Sequence, residues 1–284
     1  MNHVVITGAS TGIGRATAQD LVAHGYQVFG SVRRGADAIA LQTQLGQNFT
    51  PLLFDVTDEA GVKAAADTVA GRLNGQGLFA LVNNAGIGIG GPLMHQPLAE
   101  VRRNLEVNVL GTLAVTQAFL PLLGARLPQT TAPGRIINLS SVGGKLTFPF
   151  LGAYAASKHA LEAMSDALRR ELMLYGIEVS VIEPGAVRTP IWDKAEQEDA
   201  ARYQQTDYAG ILVRFQEEFI ARGRAGISAE RVARVIRQAL ESRSPRARYA
   251  VPDHFLTGWL IPRWLPDRWL DRVIASQIGL ARRR

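Results

Sequence analysis

Short runs of β-branched and aliphatic residues alternate along the chain with longer segments whose apolar positions recur every three or four residues. The runs His3–Thr7, Gln27–Ser31, Thr50–Phe54, Phe79–Asn83, Gly134–Leu139 and Glu178–Glu183 read as strands. Several are almost continuously hydrophobic, as strands are when helices cover both faces of a sheet. Between them, Ile13–Ala23, Gly61–Leu73, Leu98–Leu123 and Ala153–Leu174 read as helices. This alternation predicts an α/β protein with a doubly wound parallel sheet and helices on both faces. The expected organisation is one catalytic domain over residues 1–244, with a substrate-loop insertion at 187–226 that is irregular from Ile191 to Gly226. A C-terminal helical extension over 245–284 follows.

Composition narrows the classes. The 284 residues are 47% hydrophobic and 20% charged, which is ordinary for a globular protein and excludes disorder. The absence of cysteine excludes disulfide frameworks, thiolate metal sites and cysteine nucleophiles, and the five scattered histidines show no metal-ligand spacing. The N-terminus enters a strand without a basic leader, so a cytoplasmic location is expected, with association at a membrane surface as a variant. The charge-free stretch Val107–Ala125 is long enough to span a bilayer, but Asn108, Gly111, Thr112, Thr116, Gln117 and Pro121 within it favour a buried helix. The net charge of +6 is carried entirely from Ser242 onward, where nine arginines face three aspartates. An evenly charged body argues against nucleic-acid binding.

The first strand runs into Thr7-Gly8-Ala9-Ser10-Thr11-Gly12-Ile13-Gly14 and then a helix. Glycines there allow a tight turn and let backbone N–H groups approach a pyrophosphate at the helix N-terminus. The second strand ends in Ser31-Val32-Arg33-Arg34, with no acid to bind a ribose 2′-hydroxyl and two guanidiniums suited to a 2′-phosphate. NADP(H) is therefore the preferred cofactor, with NAD(H) as the alternative, and Arg33 ranks before Arg34 as the phosphate ligand. Tyr154 and Lys158 lie four apart on one helix face, where an ammonium, together with a cationic nicotinamide, favours the phenolate. Ser140 and Ser141 follow a strand that points toward the same place.

With Asn83-Asn84-Ala85-Gly86, Asn108 and Pro184-Gly185 added in order, these motifs resemble the short-chain dehydrogenase/reductase family over about residues 3–240. The resemblance implies a Rossmann-type fold and the following roles. Gly8, Ser10, Thr11, Gly12, Ile13 and Gly14 cradle the cofactor phosphates. Asp55 bonds the adenine with Val56 beside it, and Asn84, Ala85 and Gly86 line the adenine ribose. Asn108 holds a water of the proton relay, and Ser141, thirteen residues before Tyr154, polarises the substrate oxygen. Tyr154 is the general acid/base, Lys158 binds the nicotinamide ribose and lowers the tyrosine pKa, and Pro184, Gly185, Val187 and Thr189 contact the carboxamide. The segment Leu161–Leu172 with Ile182–Gly185 is similar to the retinol and 17β-hydroxysteroid dehydrogenase branch, which acts on lipophilic alcohols and ketones.

Loops that choose the substrate in such a fold carry Ile87, Ile89, Leu93, Leu146, Phe148, Phe150, Ile191 and Trp192, an apolar set suited to a hydrophobic alcohol or ketone. Two other readings stand beside the oxidoreductase: a 3-oxoacyl-thioester reductase, and a non-catalytic dinucleotide-binding redox sensor or scaffold. A homodimer or homotetramer is expected from the resemblance. The tail holds three of the four tryptophans, interleaved with arginine, and serves as lid, subunit contact or peripheral membrane contact.

Overall fold

The computed structural model describes residues 1–197 and 200–280; positions 198, 199 and 281–284, which belong to the expected insertion and tail, lie outside the described residues. Seven parallel strands form the sheet: β1 (His3–Ile6), β2 (Gln27–Val32), β3 (Phe49–Leu53), β4 (Ala80–Asn83), β5 (Arg135–Leu139), β6 (Glu178–Pro184) and a last strand, β9 (Arg248–Val251). Their order is β3-β2-β1-β4-β5-β6-β9. A separate two-stranded ribbon pairs β7 (Val187–Arg188) with β8 (Ile227–Ser228). Alternate side chains of each strand enter different cores. Val4, Ile6, Val28 and Val82 pack under α1 (Gly12–Ala23) and α9 (Ala229–Glu241). Val5, Phe29, Leu81 and Ile136 pack under α3 (Glu59–Leu73), α5 (Thr112–Phe119) and α6 (Gly152–Glu171). Burial on both faces is why these strands read as unbroken hydrophobic runs.

The chain winds outward from β1 to β3 and then crosses back to place β4 beside β1. The strand order therefore reverses between β1 and β4, which opens a crevice outside their carboxyl ends. The segments after β1, β4, β5 and β6 all meet there. Polar pins fix that end of the sheet: Asn83 Nδ2 donates to Asn138 Oδ1 (2.9 Å) and Thr116 Oγ1 (3.0 Å), and Asn138 Nδ2 donates to Ser165 Oγ (2.8 Å).

Three expectations are corrected. The segment 98–123 is not one helix but α4 (Leu98–Leu105), a π-helical turn over Glu106–Gly111, and α5. The wide turn turns Asn108 inward, where its amide bonds Ile87 and Ser157, and Gly111 accommodates Val56 at close range. One face of this stretch, with Val107, Asn108, Gly111, Thr112, Val115, Thr116, Phe119 and Leu123, is buried, and among the described residues no helix is long and apolar enough to cross a membrane. The insertion is mainly helical, with α7 (Ile191–Gln197) and α8 (Ala209–Arg224). Finally, the segment set apart after 244 supplies the edge strand β9, held by Ser180 Oγ donating to the Arg246 carbonyl (2.7 Å). With four residues, of which only Val251 is fully buried, β9 carries too little apolar pattern to be seen in the sequence. Beyond it lie α10 (Ile261–Trp264) and α11 (Asp267–Ile278), with α2 (Gly35–Leu45) completing the helices between β2 and β3.

Candidate active site

The turn after β1 is built from backbone. Gly8 and Gly12 adopt φ of +66° and +56°, a region that disfavours side chains. A Cβ on Gly14 would overlap the Gly8 carbonyl and the Asn84 amide. Asn84 ties the turn to β4: its Nδ2 donates to the carbonyls of Thr7 (2.8 Å) and Gly8 (3.1 Å), and Thr7 Oγ1 accepts from the N–H groups of Asn84 and Ala85, both at 2.9 Å. Ser31 anchors the other side, accepting from Gly8 N (2.9 Å) through its hydroxyl and from Ala9 N through its carbonyl. Thr11 makes no side-chain cap on α1, so the first amides of the helix are left without a capping hydroxyl. A cradle of this kind, lined by N–H groups at the positive end of a helix, fits a dinucleotide pyrophosphate. Thr189, after β7, closes against Gly12, with Thr189 Cγ2 about 3.1 Å from where its Cβ would be.

The two arginines differ. Arg34 is engaged by Asp37, with Nε and Nη2 each 2.9 Å from the carboxylate. Arg33 keeps a 63% exposed side chain and lies 3.6 Å from Asp55. Burial alone would raise the Asp55 pKa, but the N–H and hydroxyl of Thr57 and the Arg33 charge hold it below the ordinary value. Asp55 and Arg33 thus stand together at one side of the crevice, with Val56 tucked under Gly111.

On the other side of β4, Gly86 lies between Asn108 and Lys158: a Cβ there would be 3.1 Å from Asn108 Oδ1 and 3.6 Å from Lys158 Nζ. Asn108 is fully buried, accepts from Ile87 N (2.9 Å) and donates to Ile87 O (2.8 Å) and Ser157 Oγ (2.9 Å). Lys158 Nζ donates to the Leu139 carbonyl (2.8 Å) and lies 5.9 Å from the centre of the Tyr154 ring. Burial pulls its pKa down to about 8 against the opposing pull of Glu162. Burial likewise pushes the Tyr154 pKa up, opposed by a hydrogen bond with Ser141. The expected lowering by Lys158 is therefore not delivered by the protein alone, because desolvation outweighs an ammonium that points past the ring to a carbonyl. Ser141 Oγ accepts from Gly143 N (3.0 Å) and donates toward the Pro184 carbonyl (3.4 Å), which joins the segments after β5 and β6. Ser140 is buried with its hydroxyl against Gly144, away from Tyr154.

The sequence-marked residues of four separate loops thus meet in one crevice. A protein-family profile described as short chain dehydrogenase matches residues 2–200. The chain belongs to the short-chain dehydrogenase/reductase family. It is 40% identical over 278 residues to the NADPH-dependent 3-dehydrocapnine reductase of Ornithobacterium rhinotracheale, covering 98% of each chain. It is 36% identical over 283 residues to retinol dehydrogenase 5 of Homo sapiens, covering 95% of this chain and 87% of that one. Among solved structures, the short-chain dehydrogenase/reductase of Burkholderia phymatum in complex with NAD superposes with a TM-score of 0.74 at 27% identity, covering 89% of each chain.

Outside the short-chain dehydrogenase/reductase motifs, the structure adds two features. The first is an open cavity between Gly88, Phe150 and α8. Gly88 also touches the Tyr154 ring, so the cavity abuts the tyrosine. Its walls come from Phe150, Leu212, Phe215, Phe219 and Ile220, with Tyr203, Arg202 and Gln216 as polar members. Of the residues expected to choose substrate, Phe150 lines this cavity. Leu146 and Trp192 are buried in the scaffold, while Leu93 and Ile191 face solvent. The α8 residues were missed although Leu212, Phe215 and Phe219 recur at helical spacing.

The second feature is a buried charge cluster one turn beyond Lys158. Glu162 accepts from Lys145 (2.8 Å) and Arg248 (2.9 Å), Arg248 reaches Asp166 (3.0 Å), and Glu183 lies 3.5 Å from Arg248. Burial, then the neighbouring Glu162 charge, push the Glu183 pKa up to about 7. Two acids at positions that otherwise read as buried were the signal for this cluster in the sequence.

Proposed function

We propose that the protein is an oxidoreductase that prefers NADP(H) and interconverts a lipophilic ketone or aldehyde with its alcohol. The observation that carries this reading is the convergence of Ser141, Tyr154 and Lys158 beside the end of β5, across the crevice from a backbone-lined phosphate cradle, with Gly88 of the apolar cavity next to the Tyr154 ring. Bound at that cradle, a nicotinamide dinucleotide supplies or accepts hydride. Gly8, Ser10, Thr11, Gly12, Ile13 and Gly14 hold its phosphates. Asp55, Val56, Asn84, Ala85 and Gly86 border the adenosine, and Pro184, Gly185, Val187 and Thr189 border the nicotinamide end. Ser141 orients the substrate oxygen by hydrogen bonding, and Tyr154 passes a proton at its phenolic oxygen. Lys158, with cationic charge, eases loss of that proton, and Asn108 fixes the backbone after β4 so that Lys158 and Tyr154 stay in place.

The NADP(H) preference rests on Arg33, whose exposed guanidinium is free of the bidentate bond that engages Arg34, and on the absence of an acid at the end of β2. The relative described as NADPH-dependent supports it. The apolar cavity, and likeness to a retinol dehydrogenase, support the lipophilic substrate. Exposed Leu105 and Leu110, on the helical segments either side of Asn108, offer a face for a second subunit. Separate titrations with NADPH and NADH test the cofactor. NADPH should bind more tightly, and Arg33→Ala should weaken NADPH by about ten- to thirtyfold, the loss of one charge-assisted contact, while NADH is unchanged. Equal binding of both cofactors by the parent protein overturns the preference. Hydride transfer surviving in Tyr154→Phe overturns the proton-transfer role.

A further inference from the structure

The last described elements present an apolar face that nothing among the described residues covers. Phe255, Leu256, Leu260, Ile261, Trp264, Trp269 and Val273 are all exposed, Trp264 at 83% and Trp269 at 63%. Seven large apolar side chains within nineteen positions exceed the scattered exposure normal for a soluble surface. Other tail residues do bury themselves: Trp259 is 5% exposed with Arg263 stacked 4.7 Å over its ring. Ile278 and Leu280 pack on the cluster of Phe150, Tyr203 and Leu212 beside the cavity. The tail is therefore docked on the body by one side and apolar on the other.

Charge accompanies the exposed side. At about 100° per residue on α11, Trp269 and Val273 share a face with Arg272 at its edge, Asp267 and Asp271 fall on the opposite side, and Arg268 stands between the two, 3.8 Å from Asp271. The basic surplus of the whole chain lies in this C-terminal part. We propose that this face docks the protein on an anionic lipid surface, with Trp264 and Trp269 entering the headgroup layer and Arg268 and Arg272 facing lipid phosphates. Indole and guanidinium side by side is the composition suited to that interface. Docking this way holds the cavity behind α8 close to the lipid; that consequence rests on the substrate reading above, whereas lipid binding does not.

Co-sedimentation of the full chain with vesicles tests the proposal directly. Vesicles of phosphatidylcholine mixed with phosphatidylglycerol should carry the protein down, phosphatidylcholine alone should not, and the tryptophan emission should shift to shorter wavelength on binding. Raising salt should release the protein, since exposed charges are screened beyond about 10 Å at 0.1 M. Arg268→Gln with Arg272→Gln should weaken binding about thirtyfold, at about tenfold per 1.4 kcal/mol and about 1 kcal/mol per cation. Trp264→Ala with Trp269→Ala should abolish the emission shift. Cofactor binding by both double variants, measured without vesicles, reports that they are folded. No sedimentation with either vesicle, or unchanged sedimentation of both variants, overturns the proposal. So does a tryptophan variant that loses subunits on size-exclusion chromatography while the parent ignores lipid, which assigns the face to a second copy.

Discussion

Replacing Glu183 by glutamine isolates one proton in the core. Glu183 and Glu162 are 1% and 3% exposed, and an oxygen of each lacks a hydrogen-bond partner among the described residues. Lys145 and Arg248 hold Glu162, and Arg248 and Arg169 hold Asp166, whereas Glu183 has only Arg248 at 3.5 Å, already shared with the other two acids, so Glu183 is the acid that keeps a proton, directed at Glu162. The folded protein holds this proton up to about pH 7, whereas an unfolded glutamate releases it near 4.5. Between those values the folded state binds more protons than the unfolded one, so this site's stability contribution is present at the acid end and is lost as pH rises through about 7. At 1.36 kcal/mol per pH unit the shift amounts to about 3 kcal/mol, and roughly half belongs to Glu183 because the proton is shared by the pair. Glutamine mimics the protonated form and has no such slope. Thermal midpoints of the parent and Glu183→Gln, followed from about pH 5 to about pH 8, should therefore diverge, the parent falling by about 3–6 °C relative to the variant. Curves that stay parallel across that range refute the buried proton.

Four further outcomes follow from the same geometry. Tyr154→Phe should cut turnover by about 10²- to 10⁴-fold with dinucleotide binding retained, as equilibrium titration and steady-state rates on the same preparation will show. For ketone reduction, kcat/KM should fall as pH rises through about 8, where burial lets the Lys158 ammonium of the free enzyme lose its proton; a profile flat well beyond that value removes Lys158 from the rate. Gly14→Ala should weaken dinucleotide binding by at least about tenfold by breaking the Asn84 bonds to the turn, seen by fluorescence titration. Gly223→Ala forces a methyl into the Trp192 ring and should lower stability by about 1–3 kcal/mol in urea unfolding without loss of dinucleotide affinity.

Local chemistry determined much of this protein. A doubly buried strand such as β1 must be hydrophobic along nearly its whole length, so it was legible, and so was the doubly wound fold. The turn Gly8–Gly14, Ser141 and the Tyr154–Lys158 spacing were legible because each is a short-range requirement on backbone conformation or helix face. Tertiary structure alone decided the rest. Which of Arg33 and Arg34 remains available depends on Asp37, and which of Ser140 and Ser141 faces Tyr154 depends on how β5 ends against α6. The direction of the Tyr154 shift follows from desolvation, a sum over neighbours from many parts of the chain. The strand β9 and the basic partners of the glutamate pair were hidden for the same reason. Arg248 joins β9 to Glu162 and Glu183, contacts 86 and 65 positions away in sequence, and such pairings exist only once the sheet has closed.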